Sequence, residues 1–226
     1  MQFGFVRPHF SFLEKFNKGV MCLVLEHVHV SHVSKTGDLI PSVGLPPGKT
    51  CRSDAPCLKK CYARKGRFSF QKNKELLQRN LRIWDEDHDF FAHEVMIAAF
   101  PAKFFRWFPS GDIPDEDFLK MMVNVSDEVP GTRFLAFTKK DDLVNKYLDE
   151  HPMWNSNLVI ALSAWGDDFK IKNPHGLPMA YIRFKKTPCT IPANAHQCPK
   201  FCGDCVFSKS SCWDLGPGES VVFDEH

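Results

Sequence analysis

The chain has 226 residues, of which 43% are hydrophobic and 25% charged, so it can form one domain with a full core or one domain plus a small appendage. A formal net charge of +2 excludes a strongly basic nucleic-acid-binding body but permits a local basic face. The sequence has no run of about 20 apolar residues, the length that spans a membrane. We therefore expect a cytoplasmic protein without a membrane partner.

Residues 1–34 form a Phe-rich N-terminal extension that ends in a β-like run. In that run His27, His29 and His32 alternate, which places three imidazoles on one face of a strand. A metal site on that face is one interpretation. No acidic or cysteine partner is close in sequence, so we favour a half-exposed edge strand. Residues 35–49 are rich in glycine and proline and predict a loop.

Predicted helices and strands alternate from residue 70 to residue 184. This alternation indicates right-handed βαβ units and a parallel sheet. We predict an α/β fold over residues 35–186, an incomplete (partial) TIM-like barrel of parallel βα units. The predicted helices cover about 70–84, 87–100, 114–129 and 141–149, and the predicted strands cover 104–108, 132–137, 157–163 and 179–184.

Polar residues or glycine follow three successive predicted strands. In parallel sheets and barrels the working residues sit just beyond the carboxyl ends of the strands, so this pattern predicts an active site. The residues are Ser110, Gly111 and Asp112 after the first strand, Thr138 and Lys139 after the second, and Ser163 through Asp167 at the end of the third.

Seven of the nine cysteines fall into two groups, one towards each end of the chain. In a reducing cytoplasm grouped thiols are more often metal ligands than disulfides, and an odd number cannot pair completely. We therefore predict that both groups bind metal. The ligands are Cys51, Cys57 and Cys61 in the first group and Cys198, Cys202, Cys205 and Cys212 in the second.

The second group lies in a Cys-rich C-terminal extension, residues 187–226, in which no hydrophobic period is visible. Such a segment needs a staple to be ordered, and a bound metal would supply it. The spacing C-x3-C-x2-C-x6-C suits tetrahedral zinc or an iron–sulfur cluster. Iron–sulfur is favoured because zinc ribbons usually use two C-x2-C knuckles and only one occurs here.

The first group has the spacing C-x5-C-x3-C and no obvious fourth cysteine. A cluster held by three thiolates leaves one iron open for an exogenous ligand. The alternatives are a zinc site completed by a distant residue such as His88 or His93, and a role without metal.

The three-cysteine loop followed by a helix, the strand that ends in Ser110-Gly111-Asp112, and the later strand ends resemble the radical S-adenosylmethionine superfamily. More closely, residues 48–66 (GKTCRSDAPCLKKCYARKG), the FTKK strand end and the CGDC…CW segment resemble the phage protein family known as gene product 88. This likeness covers roughly residues 35–226. If the chain is phage-encoded, its location is the host cytoplasm.

The resemblance implies that Cys51, Cys57 and Cys61 hold a 4Fe–4S cluster whose fourth iron binds the methionyl group of S-adenosylmethionine. It places Asp112 near the methionyl amine and implies an auxiliary cluster, or alternatively zinc, in the C-terminal group. The cofactor carries the radical chemistry, and a ferredoxin or flavodoxin would supply electrons. The resulting hypothesis assigns catalytic roles to Asp112 and Lys139 and cofactor contacts to Ser110, Gly111, Asp112, Thr138 and Ser163.

Three functions therefore compete. The first is a radical-type iron–sulfur enzyme that acts on a nucleotide, a nucleic acid or a small metabolite. The second is a zinc-bearing barrel enzyme of the base-exchange type, with Asp112 as nucleophile or base. The third is a metal-stapled nucleic-acid-binding protein that uses the basic residues within 59–72 on phosphates.

Overall fold

The structure, a computed structural model, describes residues 26–32, 40–151, 154, 157–185, 189–206 and 211–225. Most of the predicted N-terminal extension lies outside these ranges. Within them, no helix combines the length and apolar character needed to cross a membrane.

The alternation of strands and helices is confirmed, with bounds close to those predicted. The strands are β1 Val30–His32, β2 Pro41–Val43, β3 Phe104–Trp107, β4 Arg133–Thr138, β5 Leu158–Ser163, β6 Met179–Arg183, β7 His196–Gln197 and β8 Ser220–Asp224. The helices are α1 Gln71–Glu86, α2 His88–Ala99, α3 Glu116–Glu128, α4 Asp141–Glu150 and the single turn α5 Cys202–Cys205.

The eight strands of the described ranges belong to one mixed but mostly parallel sheet, in the order β1-β2-β3-β4-β5-β6-β8-β7. Of the strand pairs that the structure describes, only β1–β2 is antiparallel. The central register aligns Phe105 with Phe134 and Leu135 with Val159. Among the described strands β1 and β7 lie at opposite edges and no pair closes the sheet. The predicted parallel α/β architecture is thus confirmed, while closure into a barrel is not.

Strand order explains where the helices lie. β2 to β6 are neighbours in chain order, and right-handed crossovers between such strands place their helices on the same face.

Helices α2 and α3 begin at acidic caps, because Asp87 accepts from the amide of Phe90 and Asp115 accepts from the amide of Phe118.

The helical face of the sheet carries an aromatic-rich core. Trp84 of α1, Phe91 of α2 and Phe118 of α3 meet Trp107 and Phe134 from the strands. The ring centroids of Trp84 and Phe118 are 4.7 Å apart in an edge-to-face arrangement, which aromatic pairs prefer. This core binds the four long helices to β2–β5.

The C-terminal segment covers the opposite face of the sheet. Trp213 is buried, its Nε1 donates to the backbone oxygen of Phe105 at 3.0 Å, and it shares a second core with Leu135 and Val159. The sequence of this segment shows no hydrophobic period, yet Trp213, Leu215 and the β8 residues anchor it to the sheet. A metal staple in the segment remains a prediction.

Three short strands of the described chain were not predicted. β2 lies inside the predicted loop of residues 35–49, and β7 and β8 lie in the C-terminal segment. An edge strand is confirmed only for Val30–His32, which form β1 beside β2, whereas His27 and His29 precede that strand. His27 does have an acidic partner, Glu94 on α2, with Nδ1 and Oε2 2.8 Å apart.

Candidate active site at the carboxyl edge of the sheet

Asp112 joins the carboxyl ends of β3 and β4. Its Oδ1 accepts from Thr138 Oγ1 at 2.6 Å and from the amide of Ile113 at 2.8 Å, and its Oδ2 accepts from the amide of Lys139 at 3.1 Å. The side chain is only 5% exposed. Burial raises the pKa of Asp112, while the hydrogen bond from Thr138 opposes this rise. Both carboxylate oxygens are therefore already engaged in holding the strand ends together.

Lys139 extends the site from β4 to β5. Its Nζ donates to Ser163 Oγ at 3.0 Å and lies 5.4 Å from the ring centroid of Trp165. Burial raises the pKa of the Cys57 thiol, and the ammonium of Lys139 opposes that rise. The lysine therefore lies within electrostatic reach of the first cysteine group.

The first cysteine group is attached to the end of β3 through Gly111. This residue has a φ of 81°, and a Cβ there would lie 2.7 Å from the backbone oxygen of Leu45 and 2.8 Å from Thr50 Oγ1. Thr50 Oγ1 also accepts from the amide of Asp112 at 3.1 Å, and Ser110 Oγ donates to the Leu45 oxygen at 3.0 Å. Only glycine permits this approach, which holds the residue before Cys51 against the strand end.

Arg52 attaches the same loop to the start of α4. Its guanidinium donates to the buried carboxylate of Asp141 and, at 3.2 Å, to the backbone oxygen of Lys139. It also stacks over the ring of Phe169, with 4.7 Å between Cζ and the centroid. Asp54 completes an exposed ion pair with Arg52. The loop is thus fixed on both sides of Cys51.

The three thiols of the first group lie within electrostatic reach of one another. Burial raises the pKa of Cys51, and the nearby groups that add to the rise include Asp112, Cys57 and Cys61. The amide of Gly48 donates to Cys51 Sγ at 3.2 Å, an interaction that stabilises a thiolate. Hydrogen bonds from backbone amides to sulfur are typical of thiolates that ligate metals.

The second cysteine group lies on the face of the sheet opposite the long helices. The amide of Lys200 donates to Cys198 Sγ at 3.4 Å. A hydrogen bond between the Cys205 and Cys212 thiols, together with burial, raises the pKa of Cys212. Arg106 Nη1 donates to Cys202 Sγ at 3.6 Å.

Arg106, like Arg52, was not predicted from the sequence as a residue of the site. Its guanidinium lies 5.6 Å from the ring centroid of Phe137 and lowers the pKa of Cys198, although burial of that thiol prevails. Its Nε is buried without a hydrogen-bond partner among the described residues. A buried, unpaired donor beside thiols suits an anionic group with acceptor atoms.

None of the eight described cysteines forms a disulfide bond. Within the described ranges, no three His, Cys, Asp or Glu side chains are gathered as they would be around a single metal ion. Thiolates on an iron–sulfur cluster ligate different irons, so they need not converge on one point. The donor set of each group, thiols alone, is one that iron–sulfur clusters and zinc both accept. The distant zinc ligands considered above, His88 and His93, are both exposed residues of α2.

An open depression of 450 Å³ adjoins the ends of β5 and β6. Asp167, Phe169 and Tyr181 are among its lining residues. Asp167 is held by Thr190, whose amide donates at 2.8 Å and whose hydroxyl donates at 3.1 Å. Ala164 also lines the depression, which therefore begins one residue beyond Ser163.

A model of the gene product 88 family matches residues 26–194. No curated protein and no solved structure gives a significant match. The matched part includes the first cysteine group and the strand ends, and it ends before the second cysteine group. The likeness expected over residues 35–226 thus begins earlier and does not reach the C-terminal cysteines. Because the match spans most of the chain, the protein belongs to the gene product 88 family.

Proposed function

We propose that the protein is an iron–sulfur enzyme of the radical S-adenosylmethionine type. One observation carries the proposal: the loop with Cys51, Cys57 and Cys61 is fixed over the carboxyl ends of β3 and β4, where Asp112 and Lys139 gather. Three thiols beside a cationic group suit a cluster with one free iron. The partial-barrel interpretation belongs to the same proposal and is supported by the sequential order of β2 to β6.

Each residue would have a distinct task. Cys51, Cys57 and Cys61 would hold the cluster, which with S-adenosylmethionine supplies one-electron chemistry when bound. Lys139, oriented by Ser163, would bind an anionic group such as a carboxylate or phosphate. An external ferredoxin or flavodoxin would deliver electrons.

The hydrogen bonds of Asp112 favour a positioning role over the nucleophile that a base-exchange enzyme requires. A nucleophilic carboxylate needs a free oxygen, whereas this one accepts three hydrogen bonds and is buried. The same reasoning limits its use as a direct ligand of the methionyl amine. Thr138 and Gly111 likewise act through the strand ends that they hold.

The C-terminal group would hold a second cluster. Its thiols receive N–H donors from Lys200 and Arg106, and the orphaned Nε of Arg106 suits the inorganic sulfide of a cluster. Zinc at this group is the alternative.

Anaerobic purification and reconstitution with iron and sulfide test the proposal. We expect a brown protein with about four irons per cluster, hence about eight for two clusters. Cys57→Ala should remove one cluster and Cys205→Ala the other, while Cys189→Ala, outside both groups, should keep both. Added S-adenosylmethionine should change the electron paramagnetic resonance spectrum of the reduced protein, but not that of Cys57→Ala. A colourless protein that retains zinc under these conditions would refute the assignment.

A further inference from the structure

The surface beside the first cysteine group carries a concentration of positive charge. No acidic residue lies between Asp54 and Glu75, and every cation of this stretch is exposed. None of them forms an ion pair with another described residue, unlike Lys120 and Lys146, which both pair with Glu116. We call this surface the basic face; its cations are Lys49, Lys59, Lys60, Arg64, Lys65, Arg67, Lys72 and Lys74. Since the whole chain has a formal net charge of only +2, its charge is strongly asymmetric.

Helix α1 adds to this positive field. Its N-terminal boundary residue, Phe70, supplies no capping side chain, and its first turn has no acidic residue. Helices α2 and α3, in contrast, begin with aspartate caps. The amide groups and the positive end of the α1 dipole therefore remain available to an anion beside Lys72 and Lys74.

Exposed aromatic rings lie among these cations. Tyr62 is 53% exposed and Phe70 is 63% exposed. The ring of Tyr62 meets that of Phe68 edge-to-face, with 5.9 Å between centroids. Aromatic rings between cations are the usual platform for unstacked bases, because every base offers a π-face.

A pocket of 340 Å³ opens within the basic face. Its walls are largely apolar and include Pro46, Ala63 and the ring of Phe68, while Lys49, Arg64 and Lys74 also line it. A volume of this size accepts a single base or nucleoside and lies in the usual range of small-ligand pockets. The combination of an apolar cavity with cations suits a base whose phosphates remain outside.

From these observations we infer that the basic face binds single-stranded nucleic acid. The cations hold successive phosphates, Phe70 and Tyr62 stack on bases, and the pocket receives one base. A duplex keeps its bases stacked and would meet only the cations. The structure thereby extends the basic stretch recognised in the sequence, residues 59–72, to Lys49, Lys74 and the pocket. The inference does not depend on a bound cluster.

Fluorescence anisotropy with a labelled oligothymidylate of about 20 nucleotides tests it on the purified full chain without added iron. The double variant Lys65→Glu/Arg67→Glu should weaken binding at least about ten-fold and reduce the salt slope by about 0.7 for each phosphate that is no longer neutralised. Phe70→Ala should weaken binding about ten-fold with the slope unchanged, and Phe70→Trp should restore it. The matched control is Lys103→Glu, which should leave binding intact. Lys103 is exposed and lies just before the amino end of β3, whereas the first cysteine group lies at the carboxyl end of that strand.

Either of two results would overturn the inference. One is a duplex of the same length that binds as tightly as the single-stranded oligothymidylate, which would show that bases are not recognised. The other is equal weakening by Lys103→Glu, which would show that binding is not localised to the basic face. No iron is added in this assay, so its result can be interpreted even if the proposed cluster chemistry fails. Likewise, a failure to bind nucleic acid would not bear on the proposed cluster.

Discussion

Replacement of Gly111 by alanine tests whether the strand end and the first cysteine loop depend on each other. Alanine at a φ of 81° costs about 1–2 kcal/mol in backbone strain. Its Cβ would also lie 2.7 Å from the Leu45 oxygen and 2.8 Å from Thr50 Oγ1, so the backbone must shift. Overpacking of this kind costs about 1–3 kcal/mol. We therefore expect the free energy of unfolding to fall by about 2–5 kcal/mol in total.

Two other glycines provide matched controls in urea and thermal unfolding. Gly176 has a φ of 67°, and a Cβ added there would have no atom within 4 Å, so Gly176→Ala reports strain alone. Gly131 is equally open without a positive φ, so Gly131→Ala should be neutral or slightly stabilising. In a chain of this size we expect Gly111→Ala to lower Tm by about 5–15 °C.

The same variant should also loosen the loop that packs against Gly111. Alkylation of Cys51, followed by mass spectrometry, should be faster in Gly111→Ala than in Gly176→Ala. If Gly111→Ala proves no more destabilising than Gly176→Ala, the close approach of Leu45 and Thr50 to the strand end is refuted.

Three further predictions concern individual interactions. Thr138→Val should cost about 1–3 kcal/mol in urea unfolding, because buried Asp112 loses a donor, whereas Thr138→Ser should retain most of the stability. Hydrogen bonds from Lys146 and Lys120 lower the pKa of Glu116 from its ordinary value of 4.5 to about 2. The ionised carboxylate therefore stabilises the fold at pH values above 4.5, and this stabilisation is lost as the pH falls towards 2. Glu116→Gln should flatten that acid limb, and a limb of unchanged steepness would contradict the ion-pair assignment. Trp213→Phe should lower the free energy of unfolding by about 1–3 kcal/mol, because the buried backbone oxygen of Phe105 in β3 loses its donor. An unchanged midpoint of urea unfolding would contradict the role of Trp213 in anchoring the C-terminal segment.

The regular part of the fold was predictable because its signals are local. Helices such as α3 repeat apolar residues on one face, and buried strands such as β5 are continuous apolar runs. β2 has only three residues within a segment rich in glycine and proline, so no period can emerge. β8 was missed because its pairing with β6 spans about forty residues of sequence, and short-range patterns do not carry such long-range pairing.

In the candidate site too, local signals could be predicted from the sequence and long-range contacts could not. Strand ends and parallel topology predicted that Asp112, Lys139 and Ser163 would converge, and the structure brings them together. The interactions that hold the cysteine loop were invisible, because Arg52 and Asp141 are 89 positions apart and neither has a distinctive neighbourhood. Arg106 lies in an otherwise apolar strand, and only the fold reveals that its side chain turns to the second cysteine group.

The position of β8 between β6 and β7 has a consequence for synthesis on the ribosome. β2 to β6 and their helices can assemble as each emerges, but the opposite face of the sheet stays uncovered until residues 211–225 are made. During that interval Leu135 and Val159 face solvent, and the edge of β6 is open to pairing. Nascent chains of this protein are therefore expected to be good substrates for chaperones that recognise apolar sheet surfaces. Truncations that remove Trp213 and β8 should accumulate as aggregates.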